Sequence, residues 1–184
     1  MTQKDSYHHG NLRRALMDAA LEELDEKGPS ALSLRSLAKR TGVSHAAPAH
    51  HFQDKTGLLT AIATEGFLLF GEALARELET TDSYSELGVA YVEFAIRHRA
   101  HFSVMFRPDL LRLDDGELIA AKQKAWNVLQ SGASRLAPDT SDSAAIAGWS
   151  MVHGLVTLLM SGNLPAAWAA DPLETARVVT RRLG

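Results

Sequence analysis

The chain of 184 residues contains no cysteine. This absence excludes a disulfide framework, a thiolate metal site and a cysteine nucleophile, and it is typical of proteins in a reducing compartment. The first ten residues also lack a basic stretch followed by an apolar run, so we expect neither a signal peptide nor a transit peptide. We therefore expect a cytoplasmic protein. Hydrophobic residues make up 46% of the chain, which is ample for a packed core.

Long apolar runs are scarce, and the longest covers residues 144–160. It comes close to the roughly 18 to 20 residues that span a bilayer, but Ser150, His153 and Thr157 interrupt it. Acidic residues at positions 139 and 142 precede it, where a membrane anchor often carries basic ones. We therefore expect no membrane partner. The run predicts a helix buried on nearly all sides, at the centre of a helical domain or across a subunit interface.

Common enzyme motifs are absent as well. The sequence contains no G-x-S-x-G, phosphate-binding loop, dinucleotide-binding or H-E-x-x-H motif, so we expect no catalytic residue and no cofactor. The histidines at positions 8 and 9, and those at 50 and 51, are direct neighbours that point apart on a helix. We therefore expect no metal site. An enzyme is kept only as one alternative function.

The spacing of apolar residues is helical throughout, and no segment alternates with the period of a strand. The first apolar stripe runs from Leu12 to Leu24 and predicts a helix that ends near Gly28. Side chains that can cap a helix precede most of the later segments; they are Ser33, Ser44, Asp54, Ser83, Asp114 and Asp171. We predict an all-α protein of about nine helices, the later ones near residues 34–41, 45–51, 55–79, 84–98, 99–106, 114–136, 142–161 and 172–183.

Charge is distributed unevenly along the chain, although the net charge is only −3. Residues 33–57 hold four basic residues against one acidic residue, a net charge of +3, together with three histidines. From residue 58 onward, eleven basic residues stand against fifteen acidic ones, a net charge of −4. The basic character is therefore local to one short segment, which favours a nucleic-acid contact there.

Two short helices separated by Gly42 form the pattern of a helix-turn-helix, whose second helix lies in the DNA major groove while the first braces it. A helix of small residues then precedes a lysine at the start of the next helix. The spacing A-x-x-x-G-V-S…H-F-x-x-K is found at Ala38, Gly42, Val43, Ser44, His51, Phe52 and Lys55. Over residues 11–65 the chain therefore resembles the N-terminal DNA-binding domain of the TetR family of bacterial transcriptional regulators.

The resemblance implies a role for each residue of this segment that matches the family. Ser33 and Arg35 are implied to contact phosphate or groove from the bracing helix, and Lys55 to contact a phosphate at a helix start. His51 is implied either to contact DNA or to pack inside, whereas Phe52 is implied to be core. The reading face is implied to comprise Ser44, His45, Ala46, Ala47, Ala49 and His50. A solvated helix face is the alternative for Arg35, Lys39 and Arg40.

The sequence departs from the family pattern at two positions of the reading helix. Ala49 stands where the family commonly has a tyrosine that touches the phosphate backbone, so a hydroxyl donor is missing. Pro48 stands where leucine is frequent, but in the first turn of a helix its missing N–H costs little. A helical protein-interaction module that has lost DNA binding is therefore a second alternative function.

The second half resembles the ligand-binding domain of a TetR subgroup with a W-x-x-x-H-G pattern, here Trp149, His153 and Gly154. Trp149 and His153 lie on one helix face, where both can equally be core residues. Aromatic bulk from several helices, together with histidines, favours an apolar ligand pocket with a few polar anchors. The candidate residues are Phe70, Phe94, His98, Phe102, Met105, Trp126, Trp149 and His153.

We therefore predict a helix-turn-helix DNA-binding domain at residues 1–57 and a helical ligand-binding and dimerisation domain at residues 58–184. The expected function is a sequence-specific repressor that a small, largely apolar effector releases from a palindromic double-stranded operator. The resemblance also implies a homodimer, in which the helix of residues 142–161 and the last helix form a four-helix interface. The last helix offers the apolar residues Leu173, Ala176, Val179 and Leu183.

Overall fold

The computed structural model describes the backbone of residues 3–183 and the side chains of residues 12–182. Over these residues it is all α-helical and contains no strand, which confirms the predicted fold class. Short 3₁₀ turns lie at Pro108–Leu110, Pro138–Thr140 and Arg181–Leu183. The α-helices of the described region are α1 (Gln3–Ala31), α2 (Leu34–Thr41), α3 (Ala47–Phe52), α4 (Lys55–Thr81), α5 (Tyr84–Arg97), α6 (Arg99–Met105), α7 (Gly116–Leu136), α8 (Ser141–Met160), α9 (Ala166–Ala169) and α10 (Pro172–Thr180).

The helices form two compact units. The first unit contains the residues up to Gly66 together with Arg99–Ile119, and the second contains Phe67–His98 together with the residues from Ala120 onward. Helices α4 and α7 therefore contribute residues to both units. The predicted boundary between residues 57 and 58 is a functional division, and it stays a prediction.

Side-chain caps begin four helices where the sequence predicts them. Ser33, Asp54, Ser83 and Asp171 each accept the backbone N–H of the residue three positions further on, at 2.8–3.3 Å. Each bond satisfies an N–H group that has no partner within the helix, and this explains why the chain turns into a helix at these points. The predicted end of the first helix near Gly28 coincides with a kink at φ 73°, after which α1 continues to Ala31.

Two predicted caps are wrong. Helix α3 begins at Ala47, and it is the backbone carbonyl of Ser44, not its side chain, that accepts the Ala47 N–H at 3.0 Å, since a turn precedes the helix. Helix α7 begins two residues later than predicted, so Asp115 replaces Asp114 as the residue that accepts from the Leu118 N–H, at 2.9 Å.

The start of α1 and the number of helices also differ from the prediction. Helix α1 begins at Gln3 rather than near Leu12. The additional short helix α9 raises the number in the described region from the expected nine to ten. Alanine, the strongest helix former, occupies three of the four positions of α9, and the Pro165 carbonyl accepts the first two backbone bonds, from Trp168 and Ala169.

The first unit is held together by an apolar core and by polar contacts between α1 and α2. Leu16 and Leu37 are fully buried. The buried Glu23 carboxylate accepts a hydrogen bond from the Ser36 hydroxyl at 2.9 Å, and Arg40 pairs with Glu22 at 2.6 Å. Because two separate contacts link the helices, α2 has a defined orientation on α1.

In the second unit, α5 packs against α8 and α10. Gly88 allows α5 to approach α10 closely, since a Cβ atom there would lie 2.6 Å from Cγ2 of Thr180. The sequence predicts a helix here that is buried on nearly all sides, either at a domain centre or across a subunit interface. Within the single chain, α8 is not buried in this way. Ile146 and Leu158 are 53% and 45% exposed, because α8 has neighbours on one side only.

Two helical segments are long and apolar enough to cross a membrane by length and composition, Lys55–Thr81 and Pro138–Met160. The apolar window of the first is 61% buried, as in the core helix of a soluble protein, and that of the second is 28% buried. The exposed apolar side of the second segment is thus a surface without a partner in the single chain.

Candidate nucleic-acid interface and aromatic cluster

The turn between α2 and α3 depends on Gly42. This residue adopts a left-handed conformation at φ 69°, which glycine reaches without steric cost. The Val43 N–H then donates to the Ala38 carbonyl at 3.0 Å, so the end of α2 is closed by backbone bonds. The predicted glycine turn is confirmed, and it directs the chain from the bracing helix toward α3.

Helix α3 has one buried and one exposed face. Pro48 and Phe52, four residues apart, are buried and anchor the helix. Ala46, Ala49 and His50 lie on the opposite side and are exposed. Phe52 is therefore core, as predicted, and Pro48 lies in the first turn of α3 where its missing N–H is tolerated. Two of these three exposed residues are alanines, whose small side chains allow close approach to base edges.

The structure places the predicted DNA-contacting residues on one part of the first unit. Ser44 and His45 are exposed in the turn before α3, while Ala47 and His51 are half-buried. Arg35 is exposed on α2. Ser33 is exposed as well, but its hydroxyl oxygen already caps α2. Three of them, Ser33, Arg35 and His45, line an open depression of about 620 Å³ together with Ser36, Ala38, Lys39, Gly42 and Val43.

The three cations of α2 differ in their partners. Arg40 pairs with Glu22 at 2.6 Å and Glu26 at 3.4 Å, so its charge is already compensated on the protein. Arg35 and Lys39 form no ion pair with any side chain among residues 12–182 and are exposed. Their charges are therefore available to an external anion, whereas Arg40 mainly links α2 to α1.

Lys55 lies at the first position of α4, directly after the Asp54 cap. Its ammonium group donates to the Ser30 carbonyl at 3.2 Å and has no carboxylate partner among the described side chains. Asp54 accepts the Gly57 N–H at 2.8 Å, and its second oxygen accepts from Arg112 at 2.9 Å. The Gly57 hydrogen bond first, and Arg112 second, hold the pKa of Asp54 below its usual value.

Aromatic side chains of α4, α5, α7 and α8 form a cluster inside the second unit. Phe70 meets Tyr91 edge to face at 5.0 Å between ring centres and lies 5.1 Å from Phe94. His98 stacks on Phe94 at 4.6 Å. Trp126 and Trp149 lie 6.3 Å apart. Six of the eight residues predicted to line a ligand pocket belong to this unit: Phe70, Phe94, His98, Trp126, Trp149 and His153.

The other two predicted pocket residues lie in the first unit, on α6. Phe102 packs against Phe106 with 5.1 Å between ring centres. The Met105 sulfur lies 2.7 Å from the position that a Cβ atom would take at Gly66. Both residues are buried. Their assignment to a ligand site stays a prediction.

Tyr91 is the central polar residue of the aromatic cluster. Its hydroxyl lies 2.8 Å from Nδ1 of His153 and accepts a hydrogen bond from the Trp149 indole N–H at 3.2 Å. Burial raises the pKa of Tyr91 and lowers that of His153, so it favours the neutral form of both side chains. The W-x-x-x-H spacing thus places two ring nitrogens on the same hydroxyl oxygen.

Tyr91 is not among the pocket residues that the sequence predicts. Its apolar helical spacing with Leu87 and Phe94 is typical of a core position, and it is fully buried. The only available signal was its hydroxyl, which requires a partner when it is buried. Arg112 was missed as well, because it lies 58 residues from Asp54 in the chain.

The space beside this cluster is almost completely filled. The cavity between α5, α7 and α8 has a volume of about 10 Å³ and is lined by Tyr84, Leu87, Gly88, Tyr91, Leu129, Gly148, Trp149 and Val152. A cavity of this size holds at most one water molecule. Among the described residues, no group of three histidine or carboxylate side chains is arranged to hold a metal ion.

Comparisons with known proteins match two family models to the chain. A family model described as bacterial regulatory proteins of the tetR family matches residues 16–62. A second model, described as the tetracyclin repressor-like C-terminal domain, matches residues 85–183. The chain is 45% identical to the HTH-type transcriptional regulator BetI of Escherichia coli over 179 residues, which cover 90% of this chain and 87% of that protein.

Solved structures show the same fold. A protein of unknown function from Rhodococcus sp. RHA1 is similar with a TM-score of 0.80 at 32% identity, and the match covers 96% of this chain and 95% of that one. The TetR-family regulator PfmR from Thermus thermophilus has a TM-score of 0.68 at 20% identity, with 91% and 96% covered. The family and the named relatives are regulators rather than enzymes. Together with the helix-turn-helix geometry, these similarities establish that the chain belongs to the TetR family and is a DNA-binding transcriptional regulator.

Proposed function

We propose that the chain is a homodimeric repressor that binds a palindromic duplex site through α3 and is released by a small, largely apolar effector. The observation that carries the DNA-binding part is the exposed face of α3 beside two exposed cations. Ala46, Ala49 and His50 leave room for base edges, while Arg35 and Lys39 have no carboxylate partner among the described side chains. A phosphate contact contributes most binding free energy when it is made by such cations, because no ion pair within the protein must be broken first.

The unpartnered side of α8 supports the dimer. Ser143, Ala147, Ser150 and Gly154 follow one another along its exposed face, and Ile146 and Leu158 flank them. A Cβ atom at Gly154 would have no neighbour within 4 Å in the single chain. Small residues on a helix allow a second helix to approach closely, and a two-fold axis would pair this face with itself.

Helix α10 supports the same interface less uniformly than the sequence suggested. Leu173 and Val179 are half-buried and can contribute to it, whereas Ala176 is fully buried within its own chain. Leu183 lies outside the residues whose side chains are described. We therefore propose that α8 provides the centre of the dimer interface and α10 its edge.

We also propose that the effector binds within the aromatic cluster, as in the subgroup marked by W-x-x-x-H-G, and that the protein acts in the cytoplasm. Trp149, His153 and Tyr91 provide polar atoms among apolar rings, which is the usual composition of a small-molecule site. Since the cavity has only about 10 Å³, the effector must open it. Opening would then favour a conformation with a different affinity for DNA, typically by 1–3 kcal/mol.

The decisive experiment is selection of duplex DNA from a random pool by the purified full chain, followed by affinity measurements over a salt series. We expect enrichment of a palindromic sequence and an affinity that falls steeply as salt rises, because bound cations displace counterions. Absence of any enriched sequence, with retention that does not depend on salt, would refute the DNA-binding proposal. It would favour a protein-interaction module instead, a function that Ala49 supports because it lacks a hydroxyl donor.

The effector proposal is tested by screening compounds for release of the selected duplex. For any compound that acts, Trp149→Ala and His153→Gln should abolish release. Thermal unfolding of each variant must be measured in parallel, because loss of packing would have the same effect on release. If both variants are strongly destabilised and no compound changes DNA affinity in the parent chain, these residues are core and the effector site is refuted.

A further inference from the structure

The loop between α6 and α7, residues 106–115, closes onto the first turns of α4. The backbone N–H of Arg112 donates to the Thr60 hydroxyl oxygen at 3.0 Å, and the Arg112 guanidinium donates to Asp54 at 2.9 Å. The neighbouring Leu111 and the Thr60 side chain are buried. The loop is thus attached to α4 by one part-buried hydrogen bond from its backbone to the Thr60 side chain and by one exposed ion pair.

Asp54 lies at the junction between the reading helix α3 and α4. The preceding residue, Gln53, has φ 68° and ψ −60°, a tight turn in which the Asp54 N–H donates to the Phe52 carbonyl at 2.9 Å. Gly57 faces the same carbonyl so closely that a Cβ atom there would clash with its oxygen. The junction therefore has little room, and a shift of Asp54 would also displace its neighbours.

We propose that Arg112 is a positioning residue for DNA binding, which acts by holding Asp54 and thereby fixes the first turn of α4 with Lys55. The inference rests on the proposed DNA-binding function of α3 and Lys55. Asp54 would otherwise place a negative charge next to the lysine that is proposed to bind phosphate. Arg112 compensates this charge from another part of the chain, so that the Lys55 ammonium group, which donates to the Ser30 carbonyl, has no carboxylate partner among the described side chains.

The same loop contains a matched control. Arg107 pairs with Asp109 at 2.8 Å, two residues away, and both side chains are exposed. The Arg107 pair lies within the loop, whereas that of Arg112 reaches α4. Replacing either arginine by glutamine removes the same charge from the same loop. A difference between the two variants therefore reports the contact with Asp54 and not the net charge.

The test uses the full chain and the duplex that the unmodified chain selects from a random pool. We expect Arg112→Gln to bind this duplex about fivefold more weakly, the upper range for loss of one partly exposed ion pair. Arg107→Gln should bind within about twofold of the parent, and Arg112→Lys should restore most of the affinity. In an Asp54→Asn background, Arg112→Gln should have little further effect, since the partner has been changed already.

Hydrogen exchange of the Gly57 amide, measured without DNA, provides a second readout. We expect Arg112→Gln to accelerate this exchange, and Arg107→Gln to leave it unchanged, because only the former loosens the Asp54 cap. If the unmodified chain selects no duplex, the proposed function fails, and the exchange rate alone decides whether Arg112 holds the first turn of α4.

Three results would overturn the role of Arg112. The first is unchanged Gly57 exchange in Arg112→Gln. The second is equal DNA affinity of Arg112→Gln and Arg107→Gln. The third is a loss of affinity that is the same with and without the Asp54→Asn change, together with a slope of log affinity against log salt concentration that is smaller by about one per subunit. These two observations would identify Arg112 as a direct phosphate contact.

Discussion

The Tyr91 hydroxyl lies 2.8 Å from Nδ1 of His153, and this contact joins α5 to α8 inside the second unit. An indole N–H can only donate, so the Tyr91 oxygen accepts from Trp149, and we assign the hydroxyl hydrogen of Tyr91 to Nδ1 of His153. This arrangement requires an unprotonated Nδ1. Burial lowers the pKa of His153 and therefore also favours the neutral ring.

We therefore predict that the free energy of unfolding decreases as the pH falls below about 6.5, the ordinary pKa of histidine. In that range the unfolded chain binds a proton that the folded chain resists at His153, so acid favours unfolding. Urea unfolding of the parent and of His153→Gln at pH 7.5 and pH 5.5 measures this effect. The parent should lose more stability than the variant, because all other histidines are common to both. An equal loss would contradict the prediction.

Lys55→Ala should weaken binding to every duplex by a similar amount, about 1 kcal/mol per subunit, because a phosphate contact carries no sequence information. Lys124→Ala, which removes the same charge from the exposed side of α7, serves as the control and should leave affinity unchanged. Fluorescence anisotropy with the selected duplex and with a scrambled duplex measures both variants. A loss confined to the selected sequence would instead assign Lys55 to base recognition.

Ala49→Tyr should strengthen DNA binding, since position 49 is exposed on α3 and the new hydroxyl can donate to a phosphate oxygen. A single such bond contributes about 0.5–1.5 kcal/mol. Ala49→Phe provides the matched control, because it adds the ring without the hydroxyl. Equal affinities of the two variants would show that any gain comes from the ring alone.

Ile146→Glu should convert the dimer into a folded monomer, because it places a charge on the exposed apolar face of α8. Ile119→Glu on α7 is a close control, since the two isoleucines are 53% and 52% exposed. Sedimentation at micromolar concentration measures the mass, and circular dichroism measures helix content. A dimer in both variants would exclude this face of α8 as the interface.

Local sequence determined most of the fold. Ser33, Asp54, Ser83 and Asp171 cap the predicted helices because capping needs only a side-chain oxygen and an N–H three residues away. The glycine turn at Gly42 is equally local. The two wrong caps show the limit of this reasoning: Ser44 and Asp114 have the right chemistry, but a turn or a neighbouring aspartate determined where the helix begins.

Only the tertiary structure decided which distant residues meet. The sequence alone determined the helical class, the basic segment of residues 33–57 and the residue types of the reading face, since these depend on neighbours in the chain. It did not reveal that Arg40 is paired while Arg35 is exposed, that Arg112 reaches Asp54, or that Tyr91 joins Trp149 and His153. Those contacts depend on how the helices pack, and packing places residues tens of positions apart within hydrogen-bond distance.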